Sequence, residues 1–204
     1  MPGRRAVVVG ERARARLDVD SRRRQLVTLG AKLFSSHAYD EVSIDDLARS
    51  ARISRGLLYH YFPTKRDFYV ATVRAAATEL LEKTSASKNT DPIERLRRGL
   101  DAYLAYVVRH RKAYASLLRG GVGVDKEVAR IVDETRDAFQ KRLVLGAPFD
   151  ARKPLARLAL RGWVGFVEAA TLEWLETGRP AKPVPFRDML VQVLLDAVET
   201  AASP

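Results

Sequence analysis

No stretch of this chain alternates apolar and polar side chains at the two-residue period of a half-buried strand, and its one β-branched run, Val7–Val9, stands alone. Helical spacing runs through nearly all the rest, so the expected fold class is all-α. Its 204 residues are enough for one large domain, or for one small and one larger domain. There is no cysteine, which excludes a disulfide framework and a cysteine-based zinc site. No run of 18 apolar residues is present, and the short apolar stretch Ala6–Val9 does not make a signal-peptide core, so the expected location is the cytoplasm.

The punctuation of the helices is informative. Residues 1–20 read as a flexible basic arm carrying Arg4, Arg5, Arg12, Arg14 and Arg16. A first helix is expected from about Arg22 to Ser36, with Leu26, Leu29, Leu33 and Phe34 on one face. Ser43, followed by Ile44, Asp45 and Asp46, reads as an N-cap with acids in the first turn of a second helix ending near Ala51. After Arg52 and Ile53, Ser54 caps a third helix over 55–62, and Pro63 stops it. Thr64 caps a fourth helix reaching about Lys83. Beyond "TSASKNTDP" (84–92) the helices lengthen, giving about nine in all. The division expected is a flexible basic arm over 1–20, a three-helix domain over 21–66 and a larger helical domain over 67–204.

Three short helices with a tight turn between the second and third form the layout of a helix-turn-helix unit, whose third helix enters the major groove. On that reading Arg55 forks onto guanine O6 and N7. Gly56 lets the backbone come close to the nucleic acid, and Leu57, Tyr59, His60 and Tyr61 cover the outer arc. Tyr59 and Tyr61 either reach phosphates or thymine methyls, or pack between the third and fourth helices. Ser43, Ser54 and Lys65 stand at helix starts, where N–H groups and cations meet phosphate. Leu47, Leu58 and Phe62 are expected in the core.

The stretch "IDDLARSARISRGLLYHYFPTKRDF" (44–68), with "LFSSHAYDEVSIDDLA" leading into it, resembles the DNA-binding region of the tetracycline-repressor (TetR) family of bacterial transcription regulators. The resemblance spans roughly residues 22–70. It implies a homodimer on a palindromic operator in double-stranded DNA, and a helical C-terminal domain that binds a small effector. Repression is the mode it implies. Arg52 occupies a turn position that is often glycine in that family, where a left-handed conformation costs about 1 kcal/mol; a phosphate contact by Arg52 would offset this.

Charge agrees with such a partner. Of 36 Lys and Arg and 25 Asp and Glu, residues 1–66 hold 14 and 7, so a third of the chain carries +7 of the net +11. The arm's Arg12, Arg14 and Arg16 have two readings, minor-groove contact or a solvated tail.

Two jobs compete for the apolar surface after Pro92. The last two helices are expected to form the dimer interface, the smooth strip Gly162, Gly165 and Ala169 permitting close approach. The effector pocket, for a small and largely apolar molecule, is expected among Tyr103, Tyr106, Phe139, Trp163, Phe166 and Trp174, with Glu168 as a carboxylate in an apolar run. Its expected partner is Arg161, almost two turns earlier, a ligand or the other subunit, unless Glu168 stands exposed at an edge.

Rival classes are weaker. His37, His60 and His110 show no metal or catalytic spacing, "GGVGVDKE" lacks the elements of a phosphate loop, and no Gly-x-Ser-x-Gly occurs. No enzyme activity, cofactor or metal is expected. A membrane-surface role lacks bulky apolar anchors in the arm. The main alternative is an effector-independent architectural or partner-responsive DNA-binding protein.

Overall fold

The computed structural model describes residues 4–35, 37, 39–85, 91–121, 125–146 and 153–202. Among them are nine α-helices and no strand, in keeping with the all-α expectation. They are α1 (Arg4–Phe34), α2 (Ile44–Ala51), α3 (Arg55–Tyr61), α4 (Lys65–Lys83), α5 (Pro92–Arg109), α6 (Arg111–Ser116), α7 (Lys126–Gly146), α8 (Pro154–Glu176) and α9 (Pro183–Ala202). A π-helical turn, Leu117–Gly121, follows α6.

The chain divides into two compact units, up to Ala75 and from Ala76 on. The division falls inside α4, past the boundary expected after Arg66. The reason lies in what α4 buries: Phe68 belongs to the core of the first unit, whereas Leu80 packs against that of the second.

In the first unit, the starts of α2, α3 and α4 are each closed by a side chain. Asp46 N–H donates to Ser43 Oγ at 3.1 Å, and Ser43 N–H donates back to Asp46 Oδ2 at 3.1 Å. Thr64 and Asp67 repeat this reciprocal cap at the start of α4, at 3.0 and 3.1 Å. Ser54 Oγ accepts from Leu57 N–H at 3.2 Å. Leu26, Phe34, Val42, Leu47, Leu58, Phe62 and Phe68 form the core beneath. Leu47, Leu58 and Phe62 are buried as expected. On α1 the buried face is Leu26, Val27 and Phe34, while Leu29 and Leu33 stay half-buried. Gly30 explains that turn of the helix: a Cβ there would stand 2.5 Å from the Phe68 ring, so only glycine allows the approach.

The first helix begins at Arg4 rather than near Arg22. The basic segment is thus a helical extension of α1 and not a separate arm. Residues 11–17 are all arginine, alanine, leucine or glutamate, which are good helix formers, and Gly10 is the one glycine or proline between Arg4 and Ser21. The groove-contact reading of Arg12, Arg14 and Arg16 concerns side chains outside those described.

In the second unit, Leu100, Leu104 and Val107 of α5 meet Leu160, Val164 and Val167 of α8 and Phe186, Leu190 and Leu194 of α9. The α8 and α9 helices pack along one another. Trp163 Nε1 donates to Leu190 O at 2.8 Å, and Trp174, stacked on Phe186 at 4.9 Å, donates to Ala181 O at 2.8 Å. Asp91 caps α5 by accepting from Ile93 and Glu94 N–H, with Pro92 at the first helical position.

Candidate nucleic-acid interface and the interior of the second unit

Helix α2 ends in a tight turn because Arg52 takes the left-handed conformation, φ 53° and ψ 45°. Its N–H donates to Arg49 O, and Ile53 N–H closes onto Ala48 O. Ser54 then starts α3 at once. Phe62, extended and buried, ends it one residue before Pro63. The fixed turn and the caps therefore decide which side chains of α3 face outward.

Those side chains are Arg55, Leu57, Tyr59 and His60, all exposed. Leu57 and Tyr59 are large surfaces to leave in water, at 40% and 45% exposure. Gly56 is exposed too, and a Cβ there would meet nothing nearer than Ser54 Oγ at 4.0 Å. Tyr61 departs from the expected outer arc. It is half-buried against the core of the first unit, with the His60 ring edge-on at 5.4 Å. Lys65 is half-buried, its Nζ 4.2 Å above the Tyr39 ring. Ser43 spends its hydroxyl on the α2 cap, and the Ser43 hydrogen bonds, side chain first and backbone second, hold the Asp46 carboxyl below its ordinary value.

One contact had no counterpart in the sequence reading. Arg55 Nε and Nη2 donate to the two carboxylate oxygens of Asp45, on the first turn of α2. That bond, with the carboxylate's charge behind it, raises the guanidinium above its ordinary value. The signal was present: Asp45 and Arg55 sit at the starts of the two helices that the turn folds together.

The residues singled out in the second unit separate into three groups. Tyr103 is buried in the core, and its hydroxyl meets that of Tyr114 from α6. Burial pushes both phenols above their ordinary values. Thr171, fully buried, faces Tyr103 without a hydrogen bond of ordinary geometry. Tyr106 donates to Ala76 O at 3.2 Å, and its phenol is pushed up to about 12, by burial first and Glu79 second. Phe139 is half-buried, with the Arg142 guanidinium 5.6 Å from its ring centre.

Trp163 and Phe166 face different surroundings. Trp163 is turned to α9 through its bond to Leu190, and Phe166 is 38% exposed. Phe166 shares the outer face of α8 with Leu158, Gly162, Gly165 and Ala169, as the 3.6-residue period requires. Glu168 takes a partner other than Arg161. Arg136 of α7 donates to Glu168 Oε2 from Nε at 2.9 Å and from Nη2 at 2.7 Å. Arg161 instead bonds Asp137 at 3.2 Å. Two helical turns, about 10 Å along an axis, put Arg161 out of Glu168's reach. Tyr114, Arg136 and Thr171 escaped the sequence reading because their contacts cross between helices.

A capped helix-turn-helix in one unit and an all-helical second unit define the class: a DNA-binding regulator of the helix-turn-helix kind. Residues 26–72 match the family described as bacterial regulatory proteins, tetR family, and residues 92–198 match the tetracyclin repressor-like C-terminal domain. The chain belongs to the tetracycline-repressor family of transcriptional regulators, which bind DNA, act as dimers and are not enzymes. It is similar to the transcriptional activator FasR of Mycolicibacterium smegmatis, 24% identical over 177 residues that cover 84% of this chain and 80% of the relative. The transcriptional repressor KstR of Mycobacterium tuberculosis is 24% identical over 187 residues, 88% of this chain and 83% of the relative. A crystal structure of a tetR-family regulator from Streptomyces coelicolor superposes with a TM-score of 0.84 at 30% identity, covering 90% of this chain and 82% of that one.

Proposed function

We propose that the protein is a ligand-responsive repressor that leaves a palindromic operator when a small, largely apolar effector binds. The observation that carries the DNA half of this reading is the outer arc of α3. Leu57, Tyr59 and His60 stand exposed beside Arg55 on a helix whose start and end are both fixed by caps. Folding alone gives no reason to leave Leu57 and Tyr59 in water; a major groove, with its thymine methyls and phosphates, does. Ser43, Arg52, Ser54 and Lys65 then serve the backbone, and Gly56 the close approach.

The effector half rests on polar groups set within an apolar interior. The Tyr103 and Tyr114 hydroxyls, Thr171 and the half-buried Arg136–Glu168 pair come from four helices around one region of the second unit. Such convergence is how a ligand's polar end is held in a mostly apolar site. Tyr106 and Phe139 are the flanking rings.

The dimer forms through α8 and α9. The outer face of α8 is apolar over four turns, from Leu155 and Leu158 through Gly162 and Gly165 to Phe166 and Ala169. A Cβ at Gly162 or Gly165 would meet nothing within 4 Å, which leaves room for a partner helix at close range. In the dimer two α3 helices sit about 34–36 Å apart, one in each of two successive major grooves. Effector binding displaces helices of the second unit, α4 carries the displacement toward α3, and the spacing is lost. The effector acts only as far as it prefers the non-binding state.

The close packing of Trp163 on α9 favours one alternative, a regulator that answers to a protein partner rather than to an effector. A binding selection on random duplexes at one fixed salt concentration tests the DNA half. An inverted repeat is expected. Affinity without sequence preference, collapsing as salt rises, would contradict it.

A further inference from the structure

The pairing of Asp45 with Arg55 has a use that the capping of α2 does not explain. The α2 cap is complete without Asp45, since Ser43 and Asp46 bond each other. Asp45 and Arg55 are both substantially exposed, with side-chain accessibilities of 43% and 64%, so the pair adds little to the fold. Its effect is on the conformation of one side chain. An arginine on a surface samples many rotamers, and a two-point contact removes most of them.

The atoms used matter. A guanidinium has five N–H donors on a planar fork. Asp45 takes the Nε edge, engaging Nε and one hydrogen of Nη2. The end of the fork, with Nη1 and the second hydrogen of Nη2, lies away from that edge. This end presents two parallel donors, the arrangement that guanine O6 and N7 accept in the major groove. A carboxylate on the side edge and a guanine at the end can be bound at the same time.

We propose that Asp45 is a specificity-determining residue of the operator contact: it holds Arg55 side-on so that the guanidinium reads one guanine end-on. The proposal rests on the reading that α3 enters the major groove with Arg55 near its leading end. Asp45 touches no base itself and is a positioning residue. It also sets a negative charge close to the nucleic-acid backbone, so it lowers binding to any duplex while raising the preference for one. Those two effects have opposite signs, and this makes the role separable from a structural one.

The test uses the full chain. Wild type, Asp45→Asn, Asp45→Ala, Arg55→Ala and the double variant are each put through selection on random duplexes. Affinity is then measured for the recovered operator, for the operator with each base pair replaced, and for a random duplex, at one salt concentration. Helix content and melting temperature are checked first, and Asp45→Asn, which keeps the shape, reads the role should Asp45→Ala misfold. Arg55→Ala is expected to lose preference at one G·C pair per half-site. Asp45→Ala is expected to lose about tenfold discrimination at that same pair and at no other. Its affinity for the random duplex is expected to hold or rise. The double variant is expected to discriminate no worse than Arg55→Ala alone.

If Asp45→Ala binds every duplex more tightly and keeps full preference at that pair, Asp45 is only a competitor for Arg55 and the proposal is overturned. If Arg55→Ala itself leaves the selected sequence unchanged, the groove reading of Arg55 fails, and the proposal falls with it.

Discussion

The outer arc of α3 and the interior of the second unit hold their polar chemistry in opposite settings. Around α3, the core of Leu47, Leu58 and Phe62 and the caps of Ser43, Ser54 and Thr64 form a rigid base, and Tyr59 and Arg55 stand out from it in water. In the second unit the hydroxyls of Tyr103 and Tyr114 and the Glu168 carboxylate lie among apolar side chains, answered by partners on other helices. A groove-reading surface must be exposed before its partner arrives, so its own contacts are few. A buried polar group must be satisfied within the fold, so its contacts are complete or nearly so. Function should therefore detach from stability in the first setting and be tied to it in the second.

The largest effects test the cores on which the two settings rest. Phe62→Ala and Trp163→Ala each remove a buried ring, and each should cost about 3–5 kcal/mol in urea denaturation. A loss under about 1 kcal/mol for either would mean that its unit is not packed around that ring. Next come the exposed and buried tyrosines as a pair. Tyr59→Ala should weaken operator binding about tenfold, or about 1.4 kcal/mol, with the denaturation midpoint unmoved. Tyr103→Phe should do the reverse, costing about 1 kcal/mol of stability by leaving Tyr114 without its partner and sparing affinity for the operator. Equal shifts of both quantities in both variants would erase the contrast.

The smallest effect concerns the α2 cap. Ser43→Ala should cost about 1 kcal/mol of stability. The Asp46 carboxyl titrates below its ordinary value in the folded protein, held down by the Ser43 hydrogen bonds. Its contribution is present above that value and is lost as pH falls through the lower, folded one. Acid unfolding of Ser43→Ala should accordingly show a shallower slope below about pH 4 than wild type. An unchanged slope would assign the acid sensitivity to other carboxylates.

The same contrast explains what could be read from the chain. The features of the first unit are local. Ser43 and Asp46, or Thr64 and Asp67, are three residues apart, and the cap they form is written in that interval. Arg52 sits where a left-handed residue must turn the chain, and it adopts φ 53°. Leu47, Leu58 and Phe62 are apolar residues on short helices with one face to bury. Errors arose where the local signal was absent or shared. Nothing in residues 4–20 forbids helix, and α1 simply continues through them. On α8, apolar residues lie on all sides, so periodicity could not tell the buried Trp163 from the exposed Phe166. Glu168 finds Arg136 across a helix interface, at a separation that no repeat along one helix encodes.

The most direct test of the central claim, that two copies of α3 read successive major grooves, is a spacing experiment on the selected inverted repeat. Affinity is measured for the intact duplex and for the same duplex with about five base pairs, half a helical turn, inserted between the half-sites. The account expects the insertion to turn the half-sites to opposite faces and to reduce affinity to that for a random duplex. Equal affinity for the two duplexes would contradict it.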